Sequence, residues 1–142
     1  IVFVKIGGKS DVDHFKHLKH NVYELSLLNR EELPKIYKVC KLLFHPSIYE
    51  GFGLPLLEAM QCGIPIVCSN NSSIPEVVGN TAFKNNHNNI EGFVKDIISF
   101  LTNEKLYLLK RQEALERSKI FDISQHHDKL INIYKTELNN LD

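Results

Sequence analysis

The chain has 142 residues, of which 43% are hydrophobic and 24% charged, a balance typical of a soluble globular domain with its own core. Seventeen basic residues match seventeen acidic ones, so the charge gives no support for nucleic-acid binding, which usually requires a basic surplus. No apolar run approaches the roughly 20 residues of a membrane span, and no signal peptide opens the sequence.

The first part of the chain predicts strands and helices in alternation. Apolar runs predict strands in IVFVKIGG, NVYEL and KLLFH. A short helix is expected over residues 11–20, capped by Asp11 or Asp13. A second helix is expected in NREELPKIYKVC, where Pro34 is tolerated if it lies in the first turn. The start at Ile1, inside the first strand, suggests a piece of a longer protein.

The middle of the chain continues this alternation. A helix over residues 54–62 is ended by Gly63, and the strand IPIVCS follows it. A helical turn in SSIPEVVG is ended by Gly79, and TAFK predicts a weak strand. The next segment, NNHNN, is a polar loop whose asparagine content we interpret as compositional.

The remainder of the chain is expected to be helical. The helices cover residues 90–101, 106–120 and 124–141, and Asp122 or Ser124 is the expected N-cap of the last one. The first has an apolar stripe formed by Ile90, Phe93, Val94, Ile97, Ile98 and Leu101. Alternating strands and helices predict one α/β domain over residues 1–142, with a parallel sheet covered on both faces. Such sheets bind ligands at the carboxyl ends of their strands.

The stretch YEGFGLPLLEAM follows one of these strand ends. Pro55 fits the first turn of the next helix, and Gly51 and Gly53 let the backbone approach a ligand and adopt a positive φ. The unpaired N–H groups and the dipole of a helix start suit a phosphate. Glu50 and Glu58 flank this start, and carboxylates accept hydrogen bonds from hydroxyls, so the ligand indicated is a nucleotide sugar. Taken alone, the pair also fits a solvated Glu58 and a Glu50 that interacts with the helix dipole.

The segment HPSIYEGFGLPLLEAMQCGIPIVCSNNSSIPEVVG resembles the C-terminal half of glycosyltransferase family 4. These are retaining enzymes of the GT-B architecture, in which two Rossmann-like domains face each other across a cleft. The resemblance runs from about Phe3 to Val78, and more loosely through the terminal helices. It implies a Rossmann-like domain that binds the UDP- or GDP-sugar donor of a hexosyltransferase.

The resemblance also implies roles for individual residues. The donor-binding residues would be Glu50, Gly51, Phe52, Gly53, Leu54, Glu58 and Leu28. Glu58 would accept hydrogen bonds from the ribose, and Glu50, the expected catalytic residue, would approach the hydroxyls of the donor sugar. The backbone of residues 52–54 would face the diphosphate and the sugar, and the segment around Leu28 would lie near the base.

The resemblance implies partners beyond this chain. The family usually carries an Arg and a Lys that stabilise the diphosphate leaving group; they would precede Ile1, so the chain alone is expected to be inactive. A saccharide, lipid or small-molecule acceptor would bind mainly to an N-terminal domain outside the sequence. No metal or other cofactor is expected. The alternative function is a non-catalytic nucleotide- or sugar-binding or interaction module of the same fold.

The number and spacing of the cysteines indicate the cellular compartment of the protein. Cys40, Cys62 and Cys68 are odd in number and lack C-x-x-C spacing, which favours small buried thiols in a reducing compartment. We therefore expect a cytoplasmic protein. Contact with the cytoplasmic face of a membrane is left open.

Three other patterns in the sequence resemble sites of known chemistry. GGKS ends like a phosphate-binding loop, but Phe3 occupies the position of the first required glycine, which excludes that motif. His14, His17 and His20 recur every third residue and indicate a solvated helix face rather than a metal site. His45 ends a strand beside the glutamate loop, where it faces the cleft or is a packed, hydrogen-bonded histidine.

Overall fold

The computed structural model describes residues 1–7, 15–25, 28–29 and 31–140. The chain divides into two compact units, Ile1–Val39 and Cys40–Asp142. Within the described ranges, no helix combines the length and the apolar character needed to cross a membrane.

The first unit is a three-stranded sheet followed by a helix. The strands are β1 (Phe3–Ile6), β2 (Phe15–Lys19) and β3 (Val22–Leu25), and the helix is α1 (Leu33–Val39). β3 lies in the centre, parallel to β1 and antiparallel to β2. Pro34 occupies the first turn of α1, as predicted, where the missing N–H breaks no helical hydrogen bond.

The helix predicted over residues 11–20 is wrong in its described part, because residues 15–19 form strand β2. A tight turn reverses the chain at His20, whose φ of 52° lies in the left-handed region. The ring of His17 packs across the hairpin against that of Tyr23, tilted by 39° with centroids 4.9 Å apart. Pairing with β3 satisfies the backbone of this segment better than an isolated helical turn would. Asp11, Asp13 and His14, on which the capping and metal interpretations depend, lie outside the described residues.

The second unit is built on a fully parallel sheet of β4 (Leu43–His45), β5 (Ile66–Ser69) and β6 (Phe83–Asn85). β5 is the central strand, and all four of its residues are buried. This is why IPIVCS reads as a continuous apolar run, since a central parallel strand is covered on both faces. The helices are α2 (Leu54–Gln61), α3 (Ile74–Val78), α4 (Ile90–Thr102), α5 (Glu104–Ser118) and α6 (Ile123–Asn139), with a 3-10 turn at Lys119–Phe121. The predicted α/β class with a parallel sheet is confirmed.

One buried cluster of this unit lies between β5 and α4. It contains Val67 together with Phe93, Ile97 and Phe100 of α4, and Phe83 stacks on Phe100 with ring centroids 4.9 Å apart. The predicted apolar stripe of α4 is therefore only partly buried. Its other members are exposed: Ile90, Val94, Ile98 and Leu101.

Asparagine and aspartate side chains begin the last three helices. Asn89, Asn103 and Asp122 accept hydrogen bonds from the backbone N–H groups of the first turns of α4, α5 and α6. Asp122 rather than Ser124 is therefore the N-cap of α6. The asparagines of NNHNN are not merely compositional, because Asn89 starts a helix there and Asn85 donates to Asp96 at 2.7 Å.

Candidate functional site

Three loops meet at the carboxyl edge of the parallel sheet, because parallel strands all end at the same edge. They are residues 46–53 after β4, 70–73 after β5 and 86–89 after β6. Hydrogen bonds join this region: Ser69 Oγ, at the end of β5, donates to the carbonyl of Ser47 in the first loop, and the side chains of Asn71 and His87 lie 3.4 Å apart. The stretch that the sequence singles out forms the first of these loops and the helix after it.

The start of α2 has the form expected for an anion-binding helix end. Gly53 is the N-cap residue, no side chain of the described residues caps the helix, and a proline lies in the first turn as predicted. Gly53 has φ 93°, and a Cβ there would lie 2.8 Å from Cδ1 of Leu56. Both the backbone conformation and the space therefore require glycine at this position.

Gly51 differs from Gly53. Its φ is not in the left-handed region, so the positive φ predicted for it is wrong. A Cβ built on Gly51 meets no atom within 4 Å. The loop therefore needs a left-handed residue only where it enters the helix, and Gly51 leaves open space beside the loop.

The side chain of Glu50 is hydrogen-bonded to His45, for which the sequence allowed either a position facing the cleft or a packed, hydrogen-bonded one. His45 Nε2 lies 2.8 Å from Glu50 Oε1, and their side chains are 16% and 26% exposed. His45 is therefore hydrogen-bonded, and its partner is the candidate catalytic carboxylate. The second oxygen of that carboxylate has no hydrogen-bond partner among the described residues.

Two serines hold the backbone of the same loop from the entry to α3. Ser72 Oγ donates to the carbonyl of Glu50 at 2.6 Å. Ser73 Oγ lies 3.0 Å from that carbonyl and 3.1 Å from the carbonyl of Phe52. We call Ser72 and Ser73 the serine clamp. Sequence reasoning missed the clamp and missed Ser69; the only local signal was a run of hydroxyl groups after a buried strand.

The remaining loop residues lie near the end of α5. The Phe52 ring, 41% exposed, packs edge-on against Phe121 with centroids 5.6 Å apart. The guanidinium of Arg117 lies over the other ring of this pair, 5.5 Å from its centroid. Arg117 also donates to the carbonyls of Val77 and Glu76, at 3.1 and 2.5 Å. Leu54 is 62% exposed, so the first residue of α2 lies at the surface.

Glu58 and Leu28 complete the predicted set. Glu58 is half-buried in α2, four residues after Leu54, which is about 6 Å along the helix axis. Its role toward a ribose stays a prediction. Leu28 is half-buried and belongs to the first unit, and its role near a base also stays a prediction.

Burial disfavours the reactive thiolate form of Cys40 and Cys68. Cys40, Cys62 and Cys68 all lie within the described residues and form no disulfide; Cys68 is buried, and the other two are half-buried. Burial raises the pKa of Cys68 to about 12, although Lys84 opposes this shift, and burial also raises the pKa of Cys40. In the part of the chain that the structure describes, no three His, Cys, Asp or Glu side chains are grouped so that they could hold a metal ion.

Solved structures define the class of fold. Sucrose-phosphate synthase from Thermosynechococcus elongatus matches with a TM-score of 0.77 at 21% identity, over 84% of this chain and 31% of that protein. HepE from Anabaena, crystallised with UDP and glucose, matches with a TM-score of 0.75 at 21% identity, over 83% of this chain and 33% of that protein. The chain therefore has the α/β fold of GT-B glycosyltransferases.

Sequence comparison then gives the family. The family described as glycosyl transferases group 1 matches residues 6–118. O-antigen chain mannosyltransferase B of Escherichia coli is 38% identical over 105 residues, which are 74% of this chain and 28% of that protein. Serotype-specific mannosyltransferase WbdA of Escherichia coli is 38% identical over 94 residues, which are 66% of this chain and 12% of that protein. The chain belongs to the glycosyl transferases group 1 family and spans less than a third of either relative.

Proposed function

We propose that this chain is the C-terminal, donor-binding domain of a retaining family 4 glycosyltransferase. The complete enzyme would transfer a hexose from a UDP- or GDP-sugar to a saccharide, lipid or small-molecule acceptor. The family match and the mannosyltransferase names of its relatives support glycosyl transfer, and the structure of HepE with UDP and glucose supports a nucleotide sugar as donor. GDP-mannose and UDP-glucose are therefore the donors to assay first.

One observation carries the proposal: a half-buried carboxylate lies beside a helix start that no side chain of the described residues caps. One oxygen of this carboxylate is bound to a histidine, and the other has no hydrogen-bond partner among those residues. The N–H groups and the dipole at the start of α2 would bind the diphosphate. Glu50 would accept a hydrogen bond from a hydroxyl of the donor sugar, and Glu58 would accept bonds from the ribose. The exposed Leu54 and the open space beside Gly51 leave room for a ligand at this surface.

In the proposed reaction the bond between the anomeric carbon and the diphosphate oxygen breaks. The acceptor oxygen attacks on the same face, and its proton passes to the leaving diphosphate. No protein nucleophile is required in this reaction. Because the N–H groups at the start of α2 would stabilise the charge of the diphosphate, we propose a metal-independent reaction. The acceptor would be bound mainly by another part of the protein, in a reducing, cytoplasmic compartment.

Donor binding tests the proposal. In the full-length protein, GDP-mannose or UDP-glucose should raise the melting temperature, because a ligand that binds only the native state stabilises it. Glu58→Gln should weaken donor binding by about 1–3 kcal/mol, the usual cost of losing a hydrogen bond to a charged group. Glu104→Gln, an exposed glutamate in the first turn of α5, is the matched control and should bind like wild type.

Two results would oppose the proposal. The first is the absence of any shift with either donor in the wild-type protein. The second is an equal loss of affinity in Glu58→Gln and Glu104→Gln. Retention is tested separately, by NMR of the first-formed product: the anomeric configuration of the donor should be kept, and an inverted product would contradict the retaining mechanism.

A further inference from the structure

We propose that His45 is a positioning residue for Glu50, and that it fixes which carboxylate oxygen faces the donor. The Nε2–H group of His45 would occupy Oε1 and so direct Oε2 to the sugar hydroxyl. This inference rests on the proposed function, because it assigns the histidine a role in the same site. Neither the resemblance nor the sequence pattern assigns that role to His45.

The first step of the argument is the rigidity of the histidine. His45 is the last residue of β4 and pairs with Cys68 of the central strand β5. Its side chain is only 16% exposed. Glu50 lies in the loop five residues later, and its terminal torsion would by itself be broad. A bond of 2.8 Å to a ring mounted on the sheet restricts that torsion.

The second step concerns the other end of the glutamate. The carbonyl of Glu50 accepts from Ser72 at 2.6 Å and lies 3.0 Å from Ser73 Oγ. Ser72 makes its bond from the left-handed region, with φ 54°, which a serine adopts only at a cost. The serine clamp therefore holds the backbone of Glu50 while His45 holds its side chain. A carboxylate fixed at both ends is suited to a geometry that must be reproduced in every turnover.

The third step is the direction of the hydrogen bond. An ionised carboxylate can only accept, so the proton of this bond must be on Nε2. Both the neutral Nε2–H tautomer and the imidazolium of His45 satisfy that requirement. The role therefore needs a donor at the Nε2 position rather than a charge.

Substitutions of His45 separate positioning from mere packing. The amide nitrogen of glutamine is as many bonds from the backbone as Nε2, whereas that of asparagine is one bond closer. In the full-length protein, with GDP-mannose and UDP-glucose as donors, His45→Ala should lower kcat/KM by about 10- to 100-fold, mainly through kcat. His45→Gln should recover most of this loss and His45→Asn little of it. His127→Gln is the control, because His127 is 69% exposed on α6.

Each result decides the inference. If His45→Ala stays within about twofold of wild type, or if glutamine and asparagine restore activity equally, the positioning role is wrong even when the wild-type enzyme transfers sugar. If the wild-type protein neither binds nor transfers from either donor, the proposed function fails and the role falls with it.

The position of the ring proton of His45 can be measured in the wild-type protein, so this test does not depend on turnover or on the folding of a variant. In wild-type protein labelled with ¹⁵N-histidine, the spectrum of His45 should show the proton on Nε2. A neutral ring protonated at Nδ1 would overturn the hydrogen bond itself. Urea unfolding of each variant shows whether a change in kcat exceeds the change in the folded fraction.

Discussion

Replacing each of the two glycines of the site loop by alanine should change the stability of the protein in different ways. At Gly53, with φ 93°, alanine would occupy the left-handed region, which costs an L-residue about 1–2 kcal/mol. Its Cβ would also lie 2.8 Å from Cδ1 of Leu56, a fully buried side chain. Relieving such overpacking costs about 1–3 kcal/mol. At Gly51 neither cost arises, since the φ is not left-handed and the Cβ meets nothing within 4 Å.

Removing a glycine also lowers the entropy of the unfolded chain, which stabilises the protein by about 0.4–1 kcal/mol. Gly53→Ala should therefore lower the free energy of unfolding by about 1–5 kcal/mol, and Gly51→Ala should leave it unchanged or raise it by up to about 1 kcal/mol. Urea unfolding of the full-length variants measures both values. Donor affinity should fall in Gly53→Ala, because the start of α2 must shift. Equal stability of the two variants would refute the assignment of Gly53 as the conformational requirement of this loop.

Four further predictions concern the serine clamp, Arg117 and Cys68. Ser73→Ala should lower the free energy of unfolding by about 0.5–1.5 kcal/mol, because a hydrogen bond is lost. Ser72→Gly should change it less, because glycine relieves the strain of the φ of 54° and this offsets the lost bond. Urea unfolding that finds Ser72→Gly the more destabilised variant would contradict this. Arg117→Met should cost about 1.5–3 kcal/mol, since two carbonyls at the end of α3 lose a charged donor, and an unchanged urea midpoint would oppose it. Cys68, with its pKa raised to about 12, should resist iodoacetamide at pH 8 in the folded protein, and alkylation as fast as in urea would disagree. Because the unfolded thiol loses its proton near pH 9.0 and the folded thiol does not, stability should also fall by about 1.4 kcal/mol per pH unit between pH 9 and 12.

Local signals explain what could be predicted from the sequence. The run IPIVCS identified the buried strand, Gly63 lies just after α2 with φ 67°, and Asp122 caps α6. Each of these signals depends on residues within one or two turns of the feature. The glycine-proline start of α2 could be predicted for the same reason.

The failures have a different physical origin. Strand β2 was missed because pairing with β3 decides between strand and helix in a segment whose own pattern is ambiguous. The bond between His45 and Glu50 spans only five residues, but it depends on how the loop folds back on the strand. The serine clamp joins residues 22 and 23 positions apart, so no local pattern could reveal it. The arrangement of these loops therefore depends on tertiary contacts, whereas the helix start within them could be predicted from the sequence; that a donor binds there stays a prediction.

The measurement that tests the central claim most directly compares a nucleotide sugar with its nucleotide. If Glu50 binds the sugar while the start of α2 binds the diphosphate, Glu50→Gln should lower the affinity for UDP-glucose or GDP-mannose at least about tenfold. Calorimetry of the full-length protein measures this affinity. The affinity for UDP or GDP alone should stay that of the wild type. A loss that is equal for the nucleotide sugar and the nucleotide, or no loss for either, would contradict the account.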